Sequence, residues 1–187
     1  MSLLMLLASA ALLGAPADTG CQVLHPDRIP AAGRKSPLDS LTFSVAGQSV
    51  KLCYGRPSSR GRTMLGGKAV PYGKLWRTGA NEPTIFFTPA AITVAGIRVP
   101  PGAYSLYTVP TARDWEIIVN RSIKQWGEES NYTPEVRAQE VGRATVPSER
   151  LGKAVETFTI RSEPAGSGAS LVLEWEKTRV KVPIRPG

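Results

Sequence analysis

The run from Tyr54 to Thr84, YGRPSSRGRTMLGGKAVPYGKLWRTGANEPT, concentrates side chains able to do chemistry. It holds six cations, Arg56, Arg60, Arg62, Lys68, Lys74 and Arg77, and one acid, Glu82. Guanidinium forks match carboxylate, phosphate or sulfate bidentately. The run's glycines allow turns in which successive backbone N–H groups converge on an anion. Tyr72 and Trp76 offer faces to a sugar ring or a guanidinium, and Asn81 both donates and accepts. Arg56, Arg60, Arg62, Tyr72, Trp76, Arg77, Asn81 and Glu82 therefore form the candidate ligand-binding set. Its expected target is a small anionic or carbohydrate ligand, or a partner surface. The competing reading is structural: arginines of a long loop bond carbonyls and hold its shape, and Trp76 plugs one end of a barrel.

Glu82 is the only carboxylate between Asp39 and Asp114. Amid cations it is expected to be ionised and to clamp Arg77 or Arg56, a poor setting for a general base. A carbohydrate-active hydrolase or lyase is the alternative, with Glu82 as acid or base and Arg77 orienting it. That chemistry needs a second carboxylate roughly 5–10 Å away across an open cleft, and Glu116 is the candidate. A fully buried Glu82 bonded only to arginine would rule it out.

Other chemistries lack their residues. One histidine, His25, and two cysteines cannot supply the usual three or four N/S ligands of a zinc, copper or iron site. No G-x-S-x-G, Walker A loop or G-x-G-x-x-G is present, so neither a serine triad, a metal nor a nucleotide cofactor is expected. Nucleic acid is not an expected partner, because no RRM, KH or helix-turn-helix pattern occurs.

The elements that must position the loop are strands. LTFSVA and SVKLCY alternate apolar residues on either side of Gly47-Gln48 and read as a hairpin. After the loop come TIFFT, the hairpin ITVAGIRVP turning at Ala95-Gly96, AYSLYTV and WEIIVN. Thr133-Pro134-Glu135 opens a helix of two turns, with an N-cap residue, Pro at N1 and an acid in the first turn. Val141 to Val146, VETFTIR, SLVLEWE and RVKVPI complete the chain, with turns at Gly166-Ser167-Gly168 and Lys177-Thr178. The fold class is all-β: an antiparallel β-sandwich or jelly-roll-like barrel of about ten short strands, with one long Gly/Arg-rich loop and one short helix. The alternating faces place Leu41, Phe43, Val45, Leu52, Phe86, Ile92, Val94, Leu106, Ile117, Val119, Phe158, Ile160, Leu171, Leu173 and Trp175 in the core.

GRPSSRGR, VPYGKLWRTGANEPT, PPGAYSLYTVP, WEIIVN and QWG together resemble a family of exported bacterial proteins catalogued only as a domain of unknown function. The resemblance runs from about Asp39 to Ile184 and implies no activity. The Thr133–Val141 segment is a few residues longer than the family's pattern. Residues before Leu41 match weakly, so no role for His25 follows from the resemblance.

The chain of 187 residues is 42% hydrophobic and carries a formal charge of +8, which draws anionic partners. No apolar run is long enough for a transmembrane helix. Leu3 to Leu13 reads as the h-region of a signal peptide over 1–17, cleaved after Ala15-Pro16-Ala17. The lead-in 18–40 and a single β domain over 41–185 follow. The product is expected to be exported, periplasmic or extracellular, with lipid attachment at Cys21 the second-ranked alternative. In an oxidising compartment Cys21 and Cys53 are expected to pair; two unpaired thiols are the other reading.

Overall fold

The computed structural model describes residues 21, 22, 25, 27–29 and 32–187. The expected signal segment, and Asp18 as first mature residue, lie outside them. Among the described residues the alternating runs form nine strands: β1 (Leu38–Val45), β2 (Gln48–Gly55), β3 (Thr84–Thr88), β4 (Ile92–Val94), β5 (Ile97–Val99), β6 (Gly102–Pro110), β7 (Asp114–Asn120), β8 (Glu140–Ala165) and β9 (Gly168–Pro186). They make one antiparallel sheet in the order β1-β2-β3-β6-β7-β8-β9-β4-β5. The sheet does not close, so a barrel is set aside.

Turn chemistry fixes the hairpins. Ala46 and Gly47 have φ of 49° and 78°, and Ala95 and Gly96 have 50° and 85°. Two successive positive φ values give the two-residue turn whose twist matches that of the strands it joins. The first turn thus sits one residue earlier than Gly47-Gln48. Leu41 then faces Leu52, and Phe43 faces Val50.

Two of the strands are long. Val141–Val146 and VETFTIR are parts of β8, and SLVLEWE and RVKVPI are parts of β9, so Lys177-Thr178 is not a turn. What the sequence marks there is a bend. The β8–β9 register shifts between Arg150 and Val155 and again between Val155 and Thr159, and Glu176 opposite has φ of 50°. Extra residues in one strand bend it sharply. The first part of β8 pairs with β7 and its remainder with β9, so the bend folds the sheet over itself. The Tyr54 hydroxyl of β2 donates to the Ile160 carbonyl and accepts from the Ile160 N–H, at 3.3 and 3.0 Å, across the enclosed core.

Leu52, Phe86, Leu106, Ile117 and Val119 enter that core from one layer. Phe158, Ile160, Leu171, Leu173 and Trp175 meet them from the other. Leu41 and Phe43, on the edge strand, are partly buried against it. Burying each such side chain stabilises by about 1.5–3 kcal/mol. The expected two-turn helix is a single turn, Pro134–Arg137, with the Thr133 hydroxyl accepting from Val136 N. Gln139 N then bonds the Val136 carbonyl, and β8 begins at Glu140 before a second turn can form. A disulfide joins Cys21 to Cys53, with Cα atoms 5.5 Å apart, and ties the lead-in to β2.

Candidate functional site

Residues 56–83 connect β2 to β3, which are sheet neighbours. The chain therefore leaves the sheet, crosses its open end and returns. Two short bridges anchor the excursion to strands, Ser58 with Thr157 and Trp76 with Thr108, and a third, Leu65 with Val70, closes a turn within it. Met64, Leu65, Val70 and Trp76 join the main core from it. Gly55 and Gly79 let the two ends pass closely, because a Cβ on Gly55 would sit 2.1 Å from the Ala80 oxygen.

The predicted ligand-binding set separates into four places. Trp76 is core: it is 6% exposed, stacked on Trp175, and edge-on to Trp115 and Phe158. Its indole N–H donates to the Gly79 carbonyl at 3.0 Å. Those ring contacts place Trp76 in the interior, among the side chains of both layers. Arg56 is scaffold as well, donating to Phe158 O and Thr159 Oγ1 and pairing with Asp39 at 3.2 Å.

Glu82 and Arg77 lie at a second, buried place. Glu82 is 3% exposed. Its partner is neither Arg77 nor Arg56 but Arg34 of the lead-in, whose Nη2 donates to Oε2. Glu82 Oε1, Arg34 Nε and Nη1, and Arg77 Nε are buried with no hydrogen-bond partner among the described residues. Burial lowers the Arg77 pKa, against the charges of Glu128, Tyr107 and Glu82, which raise it. Asn81, at φ 68°, spends its side chain on the Ser36 carbonyl at 3.4 Å and accepts Gly127 N at its own carbonyl.

The QWG segment packs directly on this turn. A Cβ on Gly127 would lie 2.4 Å from Asn81 O and 2.5 Å from Arg77 Cδ. Gln125 donates to the Tyr107 hydroxyl. Trp126 is held edge-on by His25 and capped by the Arg28 guanidinium, 5.6 Å from its centroid. Lead-in, loop and QWG segment are thus one packed unit. The Glu82 carboxylate is enclosed and tied to arginine. Glu116, its proposed second carboxylate, instead pairs with Arg143 at 2.7 Å.

Arg60 and Arg62 occupy the third place. Arg60 and Gly61 have φ of 50° and 73° and make an exposed turn. The Glu156 carboxylate holds it from behind, accepting from Ser59 Oγ and from Arg60 N. Those two hydrogen bonds keep the Glu156 pKa below its ordinary value. Arg62 donates through Nε to Ser59 O at 3.0 Å and through Nη2 to Ser58 O at 3.2 Å. Arg60 Nη2 donates to Lys35 O at 2.8 Å. Between them opens a cleft of about 330 Å³ lined by Lys35, Ser36, Pro57, Ser58, Arg60 and Arg62. Tyr72 is at the fourth place, 44% exposed, over a separate cleft.

Sequence reasoning missed Arg34 and Lys35, which sit in a stretch with no periodicity. Their place against the loop comes from contacts distant in sequence, Arg34 on Glu82 and the Lys35 carbonyl on Arg60. No three His, Cys, Asp or Glu side chains among the described residues cluster as metal ligands, and no described helix is long and apolar enough to cross a membrane.

A family model described as "Protein of unknown function (DUF2911)" matches residues 36–184, most of the chain. No curated protein and no solved structure gives a significant match.

Proposed function

We propose that this chain, which belongs to the DUF2911 family of unknown function, is an exported, non-enzymatic binding module. It takes a small oxyanion in the cleft of Lys35, Arg60 and Arg62. The observation that carries this reading is that three cations and two serines line the cleft, with no carboxylate among its lining residues. Both guanidinium groups are held by backbone carbonyls, so a planar anion meets forks already oriented. Glu156, close enough to feel the charges of Arg60 and Arg62, is outside the lining and accepts from Ser59 Oγ and the Arg60 amide. Export is supported by the apolar Leu3–Leu13 run and by the Cys21–Cys53 bond, since disulfides persist in oxidising compartments. The hydrolase or lyase reading loses its support, because Glu82 is enclosed and paired with Arg34.

The test is a thermal-shift titration of the mature chain with phosphate, sulfate and a small dicarboxylate. An anion held at a hundred times its Kd adds about 2.7 kcal/mol of stability, and the double substitution Arg60→Ala, Arg62→Ala abolishes the gain. No shift with any oxyanion, or an equal shift in the double variant, overturns the reading.

A further inference from the structure

The cleft beneath Tyr72 has a different chemistry. We propose that it binds an acidic saccharide, with a sugar ring on Tyr72 and its carboxylate or sulfate on Arg113, Arg150 and Lys177. The cleft holds about 500 Å³, within the usual range of small-ligand sites. Tyr72 is the only large hydrophobic side chain exposed among the described residues.

Its ring is held in place. A Cβ on Gly66 would stand 2.5 Å from Tyr72 Cε2 and 2.9 Å from Cδ2, so the ring rests against bare backbone that only glycine leaves open. Gly66 has φ of 77°, and its N–H is bonded to Val70 O. The turn that carries Tyr72 is anchored by Gly73 N to the Pro110 carbonyl at 2.9 Å. An exposed, pre-positioned aromatic costs little entropy when a sugar stacks on it.

The charges are uncommitted on one side only. Arg113, Arg150 and Lys177 line the cleft, and no side-chain hydrogen bond or ion pair engages them among the described residues. Of the two acids in the lining, Glu176 is committed to the loop backbone, while Glu149 is half-exposed at the rim. Glu176 accepts Met64 N and Leu65 N, one on each carboxylate oxygen, and Glu149 pairs with Arg179 at 3.8 Å. The cleft therefore presents free cations, an aromatic face and the hydroxyls of Ser148 and Thr178. A neutral sugar would use the ring and leave the cations idle; a bare oxyanion would use the cations and leave the ring idle. An acidic sugar uses both.

The site is independent of the Arg60–Arg62 cleft, and the experiment keeps the two apart. A galacturonate trisaccharide, a sulfated disaccharide, a neutral galactose trisaccharide and inorganic phosphate are titrated calorimetrically into the disulfide-intact chain. The expected result is binding of the acidic sugars at least tenfold tighter than the neutral one, weakening with salt. Tyr72→Ala lowers it at least tenfold, and the triple substitution Arg113→Ala, Arg150→Ala, Lys177→Ala does the same. Arg60→Ala with Arg62→Ala leaves it unchanged. Melting curves confirm that each variant is folded; these side chains are on the surface, and Tyr72→Phe should retain binding. Absent binding of both acidic sugars, equal affinity for the neutral sugar, or loss on Arg60→Ala with Arg62→Ala but not on Tyr72→Ala overturns the proposal.

Discussion

Arg34 and Glu82 are each 4% exposed in their side chains and joined directly. Removing either partner strands a charge where water cannot reach it. Arg34→Ala and Glu82→Ala are each expected to cost about 3–5 kcal/mol in urea unfolding. The double variant should cost less than the sum, because the two share one interaction; additive losses would mean that they do not. Arg60→Ala and Arg62→Ala, at an exposed turn, should each move stability by less than about 1 kcal/mol. The sequence carries a positional reason for Glu82 to face in and Arg60 to face out. Glu82 precedes the apolar strand TIFFT, where the chain must re-enter the core, whereas Arg60 and Arg62 flank a turn glycine. It could not name Glu82's partner. Arg34 lies 48 residues away, in a segment whose path is set by a covalent bond and by Trp126, not by any local pattern.

At the scale of elements, the loop is ordered because strands on both layers hold it. Glu176 does this at the bend of β9, where its carboxylate satisfies two backbone N–H groups of the loop. Glu176→Ala leaves both N–H groups without that acceptor, and is expected to cost about 1–3 kcal/mol. Amide hydrogen exchange should accelerate at Met64 and Leu65 and stay unchanged in β6 and β7. Uniform acceleration would show that Glu176 supports the whole fold and not this loop. The alternating faces of β1–β3, β6 and β7 were readable because side chains point alternately to core and solvent. The fusion of late strands into β8 and β9 was not, since Gly152 in β8 and Lys177-Thr178 in β9 carry the polar, flexible composition of turns. Here that composition marks a bend inside paired strands.

For the molecule as a whole, the described lead-in residues are tied to the sheet and the loop. The Cys21–Cys53 bond closes a sequence separation of 32 residues, worth up to about 3–4 kcal/mol by the chain-entropy account. Reduction should lower the melting temperature and expose Arg28 and Arg34 to trypsin before any strand is cut; simultaneous cleavage throughout would contradict a locally released lead-in. Alkaline stability has its own marker. Burial pushes the Tyr107 phenol up to about 12, against the Gln125 hydrogen bond and the Arg77 charge. A raised folded pKa means that this contribution is complete below the unfolded value of about 10 and is lost as pH rises towards about 12. Tyr107→Phe should therefore flatten the fall in urea midpoint across that window; an identical fall in both proteins would assign it to other groups. The central claim is that the loop's buried half is scaffold while its Arg60–Arg62 turn presents an anion cleft. A two-dimensional amide NMR titration of the mature chain with phosphate tests it most directly. Saturable shifts confined to Lys35, Ser36, Ser58, Arg60 and Arg62, with Trp76 and Glu82 unmoved, are the predicted result. No saturable shift, or shifts centred on Arg77 and Glu82, would contradict it.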